Sequence, residues 1–174
     1  EDAGKTYVYT ITESGNVAGV TNDKDASRKV TVKVSDTGKG NLQVDKTEDS
    51  KGMTFTNTYS AAGSTNLTAT KKLTGREFKK GDNWTFTVTA EPADAPMPEH
   101  TTRTTSAESG NTEALDFGKI KYTLEDAGKT YVYTITESGN VAGVTNDKDA
   151  SRKVTVKVSD TGKGNLQVDK TEDS

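Results

Sequence analysis

The chain contains no cysteine, one histidine and three prolines among its 174 residues. The absence of cysteine excludes disulfides, thiolate metal sites and cysteine nucleophiles. The single histidine, His100, has no second histidine with which to share a zinc ion or build a triad. It lies in the segment EPADAPMPEH, whose composition is typical of an exposed loop. The sequence therefore predicts neither a metal site nor a cofactor.

A surplus of one charge and a long apolar run are also missing. The 23 basic and 26 acidic residues leave a net charge of −3, so we expect no basic surface for nucleic acid or an anionic membrane. No apolar run has the length of a transmembrane helix. Hydrophobic residues make up only 29% of the chain, but their regular pattern indicates a folded protein. Neither nucleic acid nor a membrane is an expected partner.

What the chain does contain is an alternating pattern of threonine, valine and tyrosine. Period-two segments such as 67–74, 84–90 and 130–137 predict strands, and 52–58 predicts another. The segment DTGKGN, which occurs twice between alternating runs, predicts hairpin turns with glycine at positive φ. The sequence therefore predicts an all-β fold.

The first fifty residues of the chain recur, letter for letter, as its last fifty. The offset of 124 residues is the size of a domain, which indicates tandem modules. We predict that residues 1–59 are the C-terminal part of one repeat, that 60–65 (SAAGST) is a linker, and that 66–174 is the next repeat without its closing strand. Modules in tandem usually span distance, so we do not expect a turnover enzyme.

Strand alternation directs three kinds of polar residue toward otherwise apolar faces. Lys71 shares a face with two leucines, Asn57 with a methionine and a phenylalanine, and Glu13 and its copy Glu137 with tyrosine and isoleucine. Burial favours the neutral forms of amines and carboxyl groups. A neutral lysine amine is a nucleophile, and a protonated glutamate can polarise an asparagine amide and pass a proton to departing ammonia. The pattern allows a Lys–Asn isopeptide bond formed without a cofactor; in the alternative, the lysine only extends its amine to solvent.

Three segments carry a family resemblance: LTATKKLTG, YTITE and MTFTNTY. They resemble the signature segments of the isopeptide-linked domains of Gram-positive pilins and surface adhesins. The resemblance implies an immunoglobulin-like or CnaB-like β-sandwich, a cross-link made by Lys71 and Asn57, and a catalytic role for Glu13 and Glu137. Because the family's first and last strands run in parallel, it also implies that Lys71 and Asn57 belong to different modules and are not bonded to each other.

The expected function is a mechanical one, outside the cell. The resemblance implies a stalk repeat of a cell-wall-anchored pilin or adhesin, whose partners are adjacent identical repeats and, through other domains, a host surface ligand. No sortase-type motif distinguishes a polymerised pilin from a single-chain adhesin. The alternative is an adhesin module that binds host glycan or matrix protein through the loop at 90–111, where Arg103 is the only anchor residue of the kind that binding sites favour.

Overall fold

The computed structural model describes residues 1–173, and nearly all of its regular structure is β-strand, which confirms the all-β prediction. The only helical element in that range is a 3₁₀ turn at Leu124–Asp126. The chain forms two compact units, unit 1 at Glu1–Ser60 and unit 2 from Ala61 onward. In chain order the strands are β1 Thr6–Thr12, β2 Val20–Thr21, β3 Ser27–Asp36, β4 Leu42–Glu48, β5 Thr58–Tyr59, β6 Ala62–Lys72, β7 Thr85–Glu91, β8 Thr102–Thr104, β9 Thr112–Thr123, β10 Thr130–Ser138, β11 Ser151–Asp160 and β12 Leu166–Glu172.

Unit 2 is a two-layer sandwich, as predicted. One sheet has the order β12, β11, β10, β7, β8, and the other pairs β6 with β9. Their facing side chains form a dry core in which Phe117 and Ile120 of β9 and Tyr133 of β10 are each 0% exposed. Tyr122 of β9 bridges the layers, since its hydroxyl lies 3.0 Å from that of Tyr133. Burial raises the pKa of Tyr122 to about 12, because the phenolate would be poorly solvated there.

The segment predicted as a linker, 60–65, is different in the structure. Strand β6 begins at Ala62 and continues without interruption to Lys72. The small residues of this segment allow a close approach, because a Cβ on Gly63 would lie 2.9 Å from the Cβ of Leu166 and 3.0 Å from its carbonyl oxygen. Gly63 therefore occurs here for close packing against β12 rather than for flexibility.

Replacing Gly63 by valine should destabilise unit 2 by about 1–3 kcal/mol, because the added side chain overlaps backbone atoms that cannot move aside cheaply. Urea unfolding followed through the fluorescence of the single tryptophan measures this. Ser64→Val is the matched control, since the neighbouring Ser64 side chain is exposed. Equal stability of the Gly63→Val variant and the control would contradict the close approach.

Unit 1 contains the first copy of the fifty-residue segment, and its strands pair in the same register as the second copy. Tyr7 lies opposite Val32 in β1 and β3, as Tyr131 lies opposite Val156 in β10 and β11. Burial differs: Tyr9 is 56% exposed, whereas the equivalent Tyr133 is fully buried. The strand register is therefore a property of the fifty residues themselves, whereas their burial requires residues 61–124, which cover them in unit 2.

The predicted closing strand, 52–58, is regular only at its end. Strand β5, Thr58–Tyr59, pairs with β2, and the preceding residues have no strand structure. Side chains take the place of a ladder there: Thr56 N–H donates to the Asp23 carboxylate at 2.9 Å, and Arg28 donates to the Thr54 carbonyl at 2.9 Å. The predicted strand is longer than the observed one. Alternation of residue types does not reveal that side chains, rather than a neighbouring strand, make the backbone hydrogen bonds of this segment.

Candidate functional site

Lys71 and Glu137 form a close ion pair inside unit 2. Lys71 lies on β6 and Glu137 on β10, so the pair joins the two sheets, with 2.6 Å between Nζ and Oε1. Lys71 is only 7% exposed, whereas its neighbour Lys72 faces solvent. Lysine is seldom buried unless it is paired. The amine is therefore withdrawn from water and held against a single carboxylate.

Trp84 fixes the position of this amine from a second side. The Lys71 amine lies 4.5 Å from the centroid of the Trp84 ring, in cation–π geometry. The indole N–H donates to Asn146 Oδ1 at 2.9 Å, and the backbone N–H donates to the hydroxyl of the buried Thr105. The tryptophan therefore links the buried lysine to the loop that contains Asn146. The strand pattern around Trp84 gave no signal that this residue belongs to the site.

Asn57 and Glu13 form the corresponding pair in unit 1. The side-chain N–H of Asn57 donates to Glu13 Oε1 at 2.5 Å, and the backbone N–H of Asp23 donates to Asn57 Oδ1 at 2.9 Å. A backbone N–H can only donate, so it defines which end of the amide is oxygen. The carboxyl group thus faces the amide nitrogen, and the Asp23 N–H polarises the amide carbonyl. The second oxygen of Glu13, Oε2, is buried without a hydrogen-bond partner.

Glu13 and Glu137 occupy the same position in the two copies of the repeated segment. Their backbone N–H groups donate to equivalent carbonyls, those of Ala26 at 2.8 Å and Ala150 at 2.7 Å. One copy contacts an asparagine and the other a lysine, so the structure brings each glutamate together with one of the two other predicted site residues. Lys71 and Asn57 lie in different units, and the prediction that they are not bonded to each other stays a prediction.

Two aspartates at equivalent positions, Asp23 in unit 1 and Asp147 in unit 2, have lowered pKa values. The pKa of Asp23 lies below its usual value, first because the Thr56 N–H donates to its carboxylate and then because the Asp25 N–H does. The pKa of the equivalent Asp147 is also lowered, first by the Asp149 N–H and to a smaller extent by the charge of Arg152. Both carboxylates are therefore ionised at neutral pH. The alternation of polar and apolar residues could not point to either aspartate, because both lie in loops and not in strands.

The alternative binding loop, 90–111, is tied to the sandwich at several points. Strand β8 within it pairs with β7, and Pro96 accepts a hydrogen bond at 2.7 Å from the buried Tyr133 hydroxyl. The Nε–H of the half-buried Arg103 donates to the Asp116 carbonyl at 2.6 Å. His100 is exposed. Within residues 1–173, no group of three His, Cys, Asp or Glu side chains is placed to hold a metal ion, and no helix is long and apolar enough to cross a membrane.

Comparison with known proteins gave one result. Residues 1–60 and 67–174 match the family described as the Spy0128-like isopeptide containing domain, FctA. No curated protein and no solved structure matched the chain. The match covers nearly all of both units, including every residue of the two pairs described above. The chain therefore belongs to the FctA family of Spy0128-like isopeptide containing domains, as the resemblance of its three motifs predicts.

Proposed function

We propose that this chain is part of the shaft of a Gram-positive surface pilus or adhesin, in which each complete repeat is closed by a Lys–Asn isopeptide bond. A complete repeat consists of residues 61–174 followed by a segment equivalent to 51–60. One observation carries the proposal: the glutamate at one position of the repeated segment contacts the lysine in unit 2, as Glu137, and the asparagine in unit 1, as Glu13. Because the two copies are identical in sequence, one glutamate in a complete repeat can contact both.

The chemistry follows from these contacts. A proton moves along the 2.6 Å hydrogen bond from Lys71 Nζ to Glu137, leaving a neutral amine and a carboxylic acid. The amine attacks Cγ of the asparagine, whose carbonyl is polarised by the backbone N–H equivalent to that of Asp23. The glutamate donates its proton to the departing nitrogen and takes one from the attacking nitrogen. A Cγ–Nζ bond forms, the Cγ–Nδ2 bond breaks, and one ammonia is released.

The result suits a shaft that carries tension outside the cell. The bond joins β6, the first strand of the repeat, to the segment equivalent to residues 51–60, so a pulling force passes through covalent bonds. Unlike a disulfide it is insensitive to reductants, and a chain without cysteine has no disulfide to use. The loop at 90–111 favours this function over the binding alternative, because β8 and the Tyr133–Pro96 hydrogen bond tie it to the sandwich.

Intact mass spectrometry of a complete repeat tests the proposal. The folded protein should weigh about 17 Da less than its sequence, since condensation of an amine with an amide releases ammonia. Changing Lys71 to alanine should restore the full mass, whereas Lys72→Ala, on the exposed face, should keep the deficit. A wild-type repeat of full calculated mass would rule out the bond.

A further inference from the structure

The outer face of the five-stranded sheet in unit 2 presents hydroxyl groups over much of its area. In β7 the side chains alternate, so that Phe86 and Val88 are buried in the core and the threonines beside them face outward. β8 and β10, which flank β7, place further hydroxyl residues next to these threonines. The patch, named here the hydroxyl face, consists of Thr85, Thr87, Thr89, Thr102, Thr104, Thr134, Thr136, Ser138 and Ser151, all exposed or half-buried.

None of the residues of the hydroxyl face is charged, and strand formation does not explain this. Threonine is common in strands, yet on the same side of the sheet the neighbouring strand β11 carries Lys153 and Lys157. Charged residues make up 28% of the chain, so a patch of this size without one is unusual. Charge is depleted at the centre of protein interfaces and present at their rims. With Lys153 and Glu91 at its border, the hydroxyl face has the charge distribution of a contact surface.

Hydrogen bonds across the strands hold several of these side chains in place. Thr85 Oγ1 lies 3.2 Å from Thr104 Oγ1, and Thr136 Oγ1 lies 2.9 Å from Ser151 Oγ. The Ser138 hydroxyl donates to the Thr85 carbonyl at 3.2 Å. Side chains that are already fixed lose little conformational freedom when a partner covers them. The hydroxyl face is therefore ordered before any contact forms.

We propose that the hydroxyl face is a lateral contact between two copies of the repeat on neighbouring chains. A hydroxyl group both donates and accepts hydrogen bonds, so the face is complementary to its own copy, as a two-fold contact between identical subunits requires. A charged partner would call for charges of opposite sign in the patch, and a small ligand for an enclosing cavity. Each chain has a net charge of −3, so like chains approach with the least repulsion at a neutral face. The contact does not depend on the isopeptide bond.

A single contact of this kind is weak, and repetition makes it effective. The face spans about 15 Å across its four strands and about 15 Å along them, so a pair of copies buries less than the roughly 1,000 Å² of a stable complex. The sequence repeats after 124 residues, and an array of repeats would present the face many times. Weak contacts that are linked in this way add up to high avidity. Shafts would therefore associate side by side, whereas isolated repeats would separate readily.

Disulfide trapping tests the contact, because the chain has no cysteine of its own. Thr87 lies in the middle of the face, opposite Thr136, so a two-fold contact should bring the thiols of two Thr87→Cys chains together. We expect disulfide-linked dimers to form at least about tenfold faster than with Thr68→Cys, because association raises the effective concentration of the thiols. Thr68 is the matched control, an exposed threonine on β6 of the other sheet. Reaction of each variant with a small disulfide reagent corrects for differences in thiol reactivity.

A charge placed on the face shows whether it meets its own copy. Adding Thr136→Lys to the Thr87→Cys chain should reduce the rate to that of the control, since two like charges would face each other. An equimolar mixture of this chain with the corresponding Thr136→Glu chain should recover the rate, because opposite charges then meet. The emission of Trp84, the single tryptophan, verifies that unit 2 of each variant is folded.

Equal rates for Thr87→Cys and Thr68→Cys would overturn the proposal, as would a rate that Thr136→Lys leaves unchanged. Association through the exposed apolar side chains of unit 1, such as that of Tyr9, would give those results. A mixture that stays as slow as the Thr136→Lys chain alone would show that the face meets a different surface, and would also contradict the proposal. The mass deficit of the isopeptide bond is measured separately, because the hydroxyl face contains none of the residues that form or catalyse that bond.

Discussion

Replacing the asparagine that the proposed bond consumes should lower the melting temperature of a complete repeat by about 15–20 °C. The bond would close a loop of about 110 residues, from Lys71 to the position equivalent to Asn57 one repeat later. Closure of a loop of this length removes entropy from the unfolded chain worth about 4–5 kcal/mol on the model used for disulfides. Differential scanning calorimetry of the wild type and the Asn→Ala variant measures the difference.

The asparagine is the better position for this experiment than the lysine. Its replacement leaves the Lys71–Glu137 ion pair in place, so the loss reports the bond together with the asparagine's own two hydrogen bonds, which are worth far less. Lys71→Ala should cost more, because it also leaves Glu137 buried without its partner. Lys72→Ala, exposed on the other face of β6, should melt with the wild type. If the Asn→Ala variant melts within a few degrees of the wild type, no loop is covalently closed.

Glu137→Ala should slow the formation of the bond by about 10²–10⁴-fold, the usual contribution of a positioned general acid and base. Among residues 1–173, the Glu137 carboxylate is the one that forms an ion pair with the Lys71 amine, and its copy in unit 1 accepts a hydrogen bond from the Asn57 amide nitrogen. Intact mass at intervals after purification gives the linked fraction. We expect the wild type to be fully linked at the first time point and the variant to remain at full calculated mass for days.

Two further variants separate proton transfer from other effects of this change. Glu137→Gln keeps a hydrogen-bonding group of the same shape but cannot carry the proton, so it should be nearly as slow as the alanine variant. Glu108→Ala removes an exposed carboxylate from unit 2 and should link at the wild-type rate. Complete linkage of Glu137→Ala at the first time point would show that the glutamate has no part in the reaction.

The strands that carry Lys71 and Glu137 were predictable from the sequence because their signal is local. Period-two alternation in β6 and β10 directs Lys71 and Glu137 to the same side as their apolar neighbours, and the structure buries both between the sheets. The hairpin turn between β3 and β4 is local too, since Gly38 and Gly40 have the positive φ that its sequence requires. Residues adjacent in the sequence are enough to predict these features.

The contacts of Asp23 and Arg28 with residues 51–60 could not be predicted in the same way, because they join residues far apart in the chain. Asp23 contacts Asn57 and Arg28 contacts Thr54, and neither aspartate nor arginine stands out in the loop NDKDASR. The linker prediction failed for a related reason. Small residues at 60–65 are equally compatible with flexibility and with the close approach of Leu166 to Gly63, and only the position of β12 decides between them.

Residues 61–124 are flanked in this chain by two identical fifty-residue segments, and the structure pairs them with the C-terminal one. In an array of such repeats, each front half meets an indistinguishable back half on either side. Identical neighbouring modules are prone to exchange elements in this way during folding. Non-covalent contacts cannot discriminate between equal sequences, so the choice rests on chain connectivity and on which half docks first. An irreversible bond would make the first correctly closed pairing final, so that later stretching could not shuffle partners along the array.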